Sequence, residues 1–522
     1  MHISASRRNF IRGLAGLSAF AIGGCKCPFG CQKIKLAAVG MMGKGYSDWL
    51  PMLKSGLVEI VAFCDCDATM REKAQMNLAR DGVDFDVYRV PFYTDYRKLL
   101  DDADFLGIEA MTISTPDHVH ATVAVQAMKK GIHVYVQKPL VRTLWELDYF
   151  NRTAQENGVV VQMGNQGSSL DSMRRCTEVL QSGILGDVKE VHVWTNRPVW
   201  PQGQAVADWV KGHPKGDPVQ IGLNWDAWLA TAANRPYLGQ YGKDVKAYDP
   251  WKLGANVYHT FTWRGFFDFG CGAFGDMACH TMNLPFRGLE LGGVSGAELI
   301  KIEERNDISY PTKSIVKMTY KARESKVRPG VTLPAVTLFW YDGFDESNPG
   351  HSGNKPKADL MPKVVKQFGA VPDTGCYIIG SKGAALMQDD YGAKCAISMN
   401  DEKEFADVFK HEKAKLVPHV IPYCAGSSAG DGKSSVEMKG FAEGHYVEFL
   451  NAIRGEGPVY DQTHSRCFSD IEYCIPQMEG ILVGCVAQRV GGVIEWDSAK
   501  QAFNRADANA FVKPYIRKGF EF

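Results

Sequence analysis

One stretch constrains the fold of this chain more than any other. Ile34–Val39 is a short, mostly apolar run that ends in Gly40, and Gly40-Met41-Met42-Gly43-Lys44-Gly45 follows it. Residues 48–57 can form a helix, and residues 58–63 make a second apolar run ending in Cys64-Asp65. Strand, glycine-rich turn, helix, strand and acid in that order point to a parallel pair joined by a crossover helix. Glycines at such a turn let backbone amides approach a pyrophosphate at a helix N-terminus, where the dipole favours an anion. A carboxylate in the position of Asp65 can hydrogen bond an adenosine ribose. The pattern departs from GxGxxG. Gly40 and Gly45 match its ends, Met42 holds the middle glycine position, and Gly43 beside it can supply the close approach. A plain glycine-rich turn is the alternative. Asp65 favours NAD over NADP, because a 2′-phosphate would meet a like charge. Arg71 could offset that charge, so NADP stays open.

The alternation continues. Residues 110–114 read as a strand, followed by Thr115-Pro116-Asp117, with Pro116 at a helix start where proline is tolerated. Residues 120–130 carry apolar side chains at helical spacing, 133–136 form the next strand, 145–157 a helix and 159–163 a strand. The expected fold class is therefore α/β, with a doubly wound parallel sheet over residues 34–163. From residue 164 the pattern changes. Residues 188–194, 314–320 and 331–341 alternate like half-buried strands, which predicts an α+β domain over 164–522 with a large, mostly antiparallel sheet. Residues 197–264, rich in Trp, Pro, Tyr and Gly, read as a long functional loop. Residues 342–375 and 402–440 are polar and read as insertions or loops. Residues 443–454 and 471–490 read as helices.

Two further motifs carry chemistry. Gln137-Lys138-Pro139 closes a strand at the sheet edge where open parallel sheets bind ligands. A lysine there can stabilise an oxygen that gains or loses a proton. The proline restricts Lys138 to extended geometry and is a candidate for a cis bond. Gly270-Cys271-Gly272-Ala273-Phe274-Gly275 leads into Asp276 and His280, four apart and so on one helix face over residues 276–284. A histidine with an oriented carboxylate can accept a hydroxyl proton near neutral pH. An N-capping aspartate and a core histidine are the alternative.

The chain has 522 residues, 45% hydrophobic and 23% charged, which fits soluble globular domains. Lys plus Arg and Asp plus Glu are both 59, so the overall charge argues against a general nucleic-acid binder. Ser6-Arg7-Arg8-Asn9-Phe10, followed by an uncharged stretch, reads as a twin-arginine export signal over residues 1–33. Ile22-Gly23-Gly24-Cys25 resembles a bacterial lipobox, which would make Cys25 a lipidated first residue and anchor the protein at a membrane in the periplasm. The cysteines beyond the leader show no paired CxxC spacing and read as buried thiols.

Taken together, these motifs resemble the Gfo/Idh/MocA oxidoreductase family from about Lys33 onwards. Thr115-Pro116-Asp117-His118-Val119-His120 looks like the family's turn after a Rossmann strand. Gln137-Lys138-Pro139 is similar to its Glu-Lys-Pro, and Trp263-Arg264-Gly265 through Asp276 and His280 to its catalytic segment. The resemblance implies a Rossmann domain holding NAD or NADP through Gly40, Met42, Gly43, Gly45, Asp65, Thr115, Pro116, His118 and Lys138. It implies Lys138 at the reacting hydroxyl, His280 as general acid/base, and Asp276 binding a neighbouring hydroxyl or orienting His280. Arg264, Tyr258 and His259 could line the polyol pocket, and Trp225, Trp228 and Tyr237 could stack on a sugar or simply pack. His118 and His120 form an HxH pair, but no third ligand suggests a metal. Family substrates are sugars, polyols and glycosides, and a homo-oligomer assembled through the second sheet is expected by analogy. Three functions stay open: a dehydrogenase of a carbohydrate hydroxyl, a redox-assisted glycoside hydrolase or lyase with tightly bound NAD, and a non-catalytic carbohydrate-binding lipoprotein.

Overall fold

The computed structural model describes residues 33–241, 256–303, 305–345, 347–348, 350–424, 439–460 and 465–522. The twin-arginine segment and Cys25 lie outside these residues. Residues 34–522 form one compact unit built on two sheets.

The first sheet has six strands: β1 (Ile34–Val39), β2 (Val58–Cys64), β3 (Phe92–Tyr93), β4 (Ala110–Ile113), β5 (His133–Val136) and β6 (Val161–Met163). Their order is β3-β2-β1-β4-β5-β6 and every pair is parallel. Both faces are covered, so the strands are nearly continuous apolar runs. Period-2 geometry sorts them. Leu36, Ala38, Ile60 and Tyr135 face Trp49 and Met52, with Tyr446 and Phe449 from the helix Lys439–Ile453. Ala37, Val39, Met111 and Val134 face Val123 and Phe150 of the helices Asp117–Lys129 and Leu144–Asn157. The strand order reverses between β1 and β4, and a ligand crevice is expected outside their carboxyl ends.

The second sheet has ten strands. It uses β7 (Val188–Trp194), β8 (Val294–Ile302) and β9 (Ser314–Tyr320); a separate hairpin, β10 (Arg323–Glu324) and β11 (Thr332–Leu333), follows. The sheet resumes with β12 (Val336–Asp342), β13 (Gly375–Gly380), β14 (Gly383–Met387), β15 (Cys395–Met399), β16 (Ala406–Asp407), β17 (Val493–Asp497) and β18 (Ala502–Phe503). Among the described residues only β7 and β12 of this sheet pair in parallel, and its other pairs are antiparallel. Val316, Met318, Leu338 and Trp340 are buried, while Ile315, Lys317, Phe339 and Tyr341 between them are only half-buried. Phe274 stacks on Trp340 at 4.6 Å, which seats the helix Gly272–Thr281 beside the sheet. Gly484 is needed there, because a Cβ would stand 2.2 Å from the Phe274 ring.

Several expectations are corrected. The first helix starts at Lys44, because Gly43 already turns the chain and caps it. The Asp276 helix starts at Gly272 and ends at Thr281, before a second helix, Asn283–Gly288. Within 342–375, the helix Pro362–Phe368 packs Met361 and Val364 against Trp194 and Leu386, so this segment is partly core. Within 402–440, Ala406–Asp407 joins the sheet and Glu412–Lys415 is helical, while residues 425–438 lie outside the described ones. The eleven described cysteines form no disulfide with one another, and all but Cys66 are buried.

Candidate functional site

A cavity of about 740 Å³ opens at the carboxyl ends of β1 and β4. Its first wall is the glycine turn. Gly40 has φ +89°, and a Cβ there would lie 2.4 Å from the Ser114 carbonyl oxygen. A Cβ on Gly45 would lie 2.0 Å from the Gly40 carbonyl oxygen, so Gly45 serves the turn and does not itself reach the cavity. Gly43 has φ +60° and nothing within 4 Å of its absent side chain. The helix it caps has no side-chain cap on its first amides. Open space before uncapped amides fits a pyrophosphate. Met42 lines the cavity beside it, so the middle glycine is replaced by a side chain in the wall without closing the cradle.

Asp65 also lines the cavity. Its Oδ2 accepts from the Met41 amide at 2.9 Å and its Oδ1 from the Asp67 amide at 3.0 Å. Burial raises its pKa above the ordinary value, against these bonds. Arg71 does not offset its charge at the cavity. That guanidinium donates to the Val87 and Val90 carbonyls and lies over the Tyr88 and Phe92 rings. Thr115 and Pro116 line the same cavity.

His118 is a correction. It is fully buried and absent from the cavity wall, with Nε2 2.9 Å from the Trp228 carbonyl and Nδ1 3.3 Å from that of Phe269. Burial pushes its pKa down to about 3, so it is a neutral core ring that ties the helix start to the loop beyond residue 225. His120 acts similarly: Nδ1 meets the Pro139 carbonyl at 2.8 Å and Nε2 that of Thr115 at 2.9 Å. It thereby fixes the two functional turns to each other.

The reactive groups gather at the other end. Lys138, which precedes Pro139 across a cis bond, projects Nζ onto Asp276, 2.8 Å from Oδ1 and 2.9 Å from the backbone carbonyl. Arg264 Nε reaches the same Oδ1 at 3.2 Å, and its guanidinium packs on Phe261 and Trp263. Burial would raise the Asp276 carboxyl; the Lys138 and Arg264 cations overcome it and hold it well below the usual carboxylate range. Lys138 and Arg264 line the cavity, whereas Asp276 stands behind them. In place of meeting a substrate hydroxyl or orienting His280, Asp276 holds the two cations. His280 does line the cavity. Burial, reinforced by the Lys138 ammonium, keeps its pKa well below the ordinary value. Its Nδ1 has no hydrogen-bond partner among the described residues, and Tyr391 meets its ring edge-on at 4.7 Å.

Three residues of this site escaped sequence reasoning. Asp117 is 3% exposed and lines the cavity among Lys138, Arg264 and Asp276. Burial drives its pKa up to about 7. It stands in a string already singled out, but nothing in the spacing marks it as buried. Tyr391 comes from the β14–β15 connection, which has no local signature. Lys44, in the glycine turn, lines the cavity and pairs with Asp48 Oδ1 at 2.8 Å.

That aspartate explains Gln137. Asp48 is fully buried, and its carboxylate takes Gln137 Nε2 at 2.9 and 3.1 Å, Ser114 Oγ at 2.6 Å and Tyr446 Oη at 2.5 Å. The amide therefore serves Asp48, and the loss of a carboxylate at 137 does not act on Lys138 by contact.

Tyr258 is a second correction. It is 1% exposed and packs among Trp225, Phe266 and Phe269 away from the cavity wall. Trp225, Trp228 and Tyr237 belong to the same buried cluster, and of them only Trp228 also lines the cavity. His259 lines the cavity and sets Nε2 3.0 Å from Asp67 Oδ2.

Comparison with known proteins agrees with this geometry. The chain is 29% identical over 161 residues to inositol 2-dehydrogenase of Salmonella typhimurium, covering 31% of this chain and 44% of that protein. It is 28% identical over 174 residues to glycosyl hydrolase family 109 protein 2 of Akkermansia muciniphila, covering 32% and 34%. The chain thus spans less than half the length of these curated relatives. An inositol dehydrogenase homologue of Azotobacter vinelandii, crystallised with NADH and myo-inositol, shares the fold with a TM-score of 0.54 at 17% identity, over 89% of this chain and 98% of that one. Residues 34–165 match the family model described as an oxidoreductase family with an NAD-binding Rossmann fold. Through this domain the chain is similar to the Gfo/Idh/MocA oxidoreductases.

Proposed function

We propose that this chain is an NAD-dependent oxidoreductase that moves a hydride between the nicotinamide and a hydroxyl-bearing carbon of a sugar, polyol or glycoside. One observation carries the reading: the cradle of Gly40, Met42, Gly43 and Asp65 and the side chains of Lys138, Arg264 and His280 line one cavity. Asp65, with Arg71 turned away, favours NAD over NADP. The bound cofactor supplies the hydride acceptor or donor.

The chain's own residues supply the rest. Lys138, fixed by Asp276, presents an ammonium to the reacting oxygen and stabilises charge that develops there. His280 is neutral, because burial and Lys138 disfavour its protonated form, and so can accept the hydroxyl proton on its ring. Arg264, held against Asp276, can bind a neighbouring hydroxyl. The aromatic cluster around Trp228 excludes water from one wall.

The test is NADH formation at 340 nm with wild type and His280→Ala over a panel of inositols, hexoses and glycosides. The reading expects turnover with at least one of them and its loss in the variant. A wild type that binds NAD but turns over none would defeat it.

A redox-neutral hydrolase or lyase is the second reading. It is supported by the relationship to a glycosyl hydrolase and by Asp117, a second carboxyl in the cavity that stays protonated up to about pH 7 and could donate to a leaving oxygen. It expects glycoside cleavage without net NADH.

Export is proposed on Ser6-Arg7-Arg8-Asn9-Phe10, and a lipid anchor in the periplasm on Ile22-Gly23-Gly24-Cys25. Cys25→Ala should then move the protein from the membrane to the soluble fraction. Self-association through the second sheet is supported by its half-buried face at Ile315, Phe339 and Tyr341.

A further inference from the structure

The loop that follows β7 returns to the first sheet and is pinned there just beyond Asp65. Leu223 forms a β-bridge with Asp67. The Ala68 amide donates to the Gly222 carbonyl at 2.9 Å, and the Asn224 amide to the Cys66 carbonyl at 2.7 Å. Gln220 Nε2 donates to Asp67 Oδ2 at 3.0 Å. His259 Nε2, from a separate segment, stands 3.0 Å from the same oxygen. The other oxygen of Asp67 accepts from the Thr69 amide at 3.0 Å and the Thr69 hydroxyl at 2.6 Å. One fully buried carboxylate thus joins three chain segments. Against the upward push of burial, its bonds from His259 and Thr69 hold its pKa down to about 2, so it stays charged.

The pinned segment runs directly into the helix Trp225–Leu229. Ala227 and Trp228 of that helix line the same cavity as Asp65, Cys66 and Tyr96. Gln220, Gly222 and Leu223 do not line it. The clasp therefore holds a cavity wall in place without contributing a surface to whatever the cavity binds.

We propose that this clasp, centred on Asp67, gates exchange of the dinucleotide: the cofactor enters and leaves only when residues 220–224 lift from Cys66-Asp67-Ala68. The inference rests on the NAD reading of the cavity. It follows from the placement of the bonds. Lifting the segment breaks backbone hydrogen bonds and a charge-assisted bond together, and it moves Ala227 and Trp228 with it.

A gate has a kinetic signature that a lost contact lacks. Weakening it speeds capture and release together and leaves their ratio nearly unchanged. Loss of a contact to the cofactor speeds release alone.

The experiment follows NADH binding and release by stopped-flow quenching of tryptophan fluorescence in the folded full chain. Two variants act from opposite sides of the clasp. Asp67→Asn removes the charge. Gly222→Val places a Cβ 3.2 Å from the Thr69 methyl at a position with φ +87°. Either variant alone keeps the test decisive if the other fails to fold. The proposal expects both rate constants to rise roughly tenfold, the scale of one charge-assisted hydrogen bond, with the dissociation constant within about threefold of wild type. Unchanged rates in a folded variant overturn the clasp, as does faster release with unchanged capture. A wild type that binds no NADH overturns the dinucleotide reading itself, and the clasp with it; binding with unaltered rates overturns the clasp alone.

Discussion

Lys138 and His280 share one cavity wall but differ in what holds them. Lys138 is tied to Asp276 by two bonds, while His280 Nδ1 is unpartnered among the described residues. Loss of the histidine should therefore cost chemistry and not architecture: His280→Ala is expected to lower turnover roughly a hundredfold or more while NADH still binds. Steady-state rates and a fluorescence titration on the same sample check this. Asp117 makes a different prediction. Its folded pKa is about 7 and its ordinary value is 3.8, so the folded state favours its protonated form. That contribution is complete below pH 3.8 and is lost as pH rises through about 7. Asp117→Asn removes the titration, so from pH 5 to pH 8 the variant should gain stability relative to wild type, by up to about 3 kcal/mol. Urea melts at both pH values measure it; a constant difference would contradict the assignment. Lys138, Arg264, Asp276 and His280 were legible in the sequence because each sits in a recognisable string. Asp117 sat in one too, yet its character comes from burial against residues far along the chain, which spacing does not report. His118 fails for the same reason, since its partners Trp228 and Phe269 are tertiary neighbours.

At the scale of elements, the glycine turn, the end of β5 and the helix Lys439–Ile453 meet at Asp48. Lys44, Ser114, Gln137 and Tyr446 all serve its buried carboxylate. Gln137→Glu would restore the family's residue and set two carboxylates face to face. It should destabilise the protein by on the order of 3 kcal/mol at pH 8 and by less at pH 5, where a protonated Glu at 137 can still donate to Asp48. Denaturant melts at the two pH values decide; an equal loss at both would mean that the amide does more than supply a proton. Gly45→Ala tests the turn itself. A Cβ 2.0 Å from the Gly40 carbonyl leaves no room, so NADH affinity should fall together with the melting temperature. Strands β1, β2, β4, β5 and β6 of the first sheet were legible nearly to the residue, since parallel strands buried on both faces read as apolar runs, whereas the two-residue, half-buried β3 was not. The helix Asp171–Gln181 was not, because its buried Arg174, Arg175 and Glu178 mask the apolar period.

Across the whole molecule, distant segments complete the dinucleotide domain. The helix Lys439–Ile453 covers one face of its sheet, and Phe520 near the C-terminus packs on Tyr96 and Arg97. Arg517 donates to the Ala230 carbonyl at 2.9 Å and to Asp226 at 2.6 Å, which couples that tail to the helix after the clasp. Removing residues 517–522 should therefore lower the melting temperature by about 2 to 4 °C or more and loosen the cavity wall at Ala227 and Trp228. Calorimetry with and without NADH reads both effects. The two-sheet division was visible in the change from helix-strand alternation to period-2 runs. The long-range closure was not, because nothing local in residues 439–453 or 517–522 names the surface they cover. The central claim is that the dinucleotide cradle and the Lys138–His280 pair act on one carbon within one cavity. Its most direct test is hydride transfer itself: wild-type protein incubated with NAD and a panel of carbon-deuterated polyols and glycosides, followed by mass spectrometry of the nicotinamide. The account predicts deuterium on the ring with at least one substrate and none with His280→Ala. Bound NAD that acquires no deuterium from any of them would contradict it.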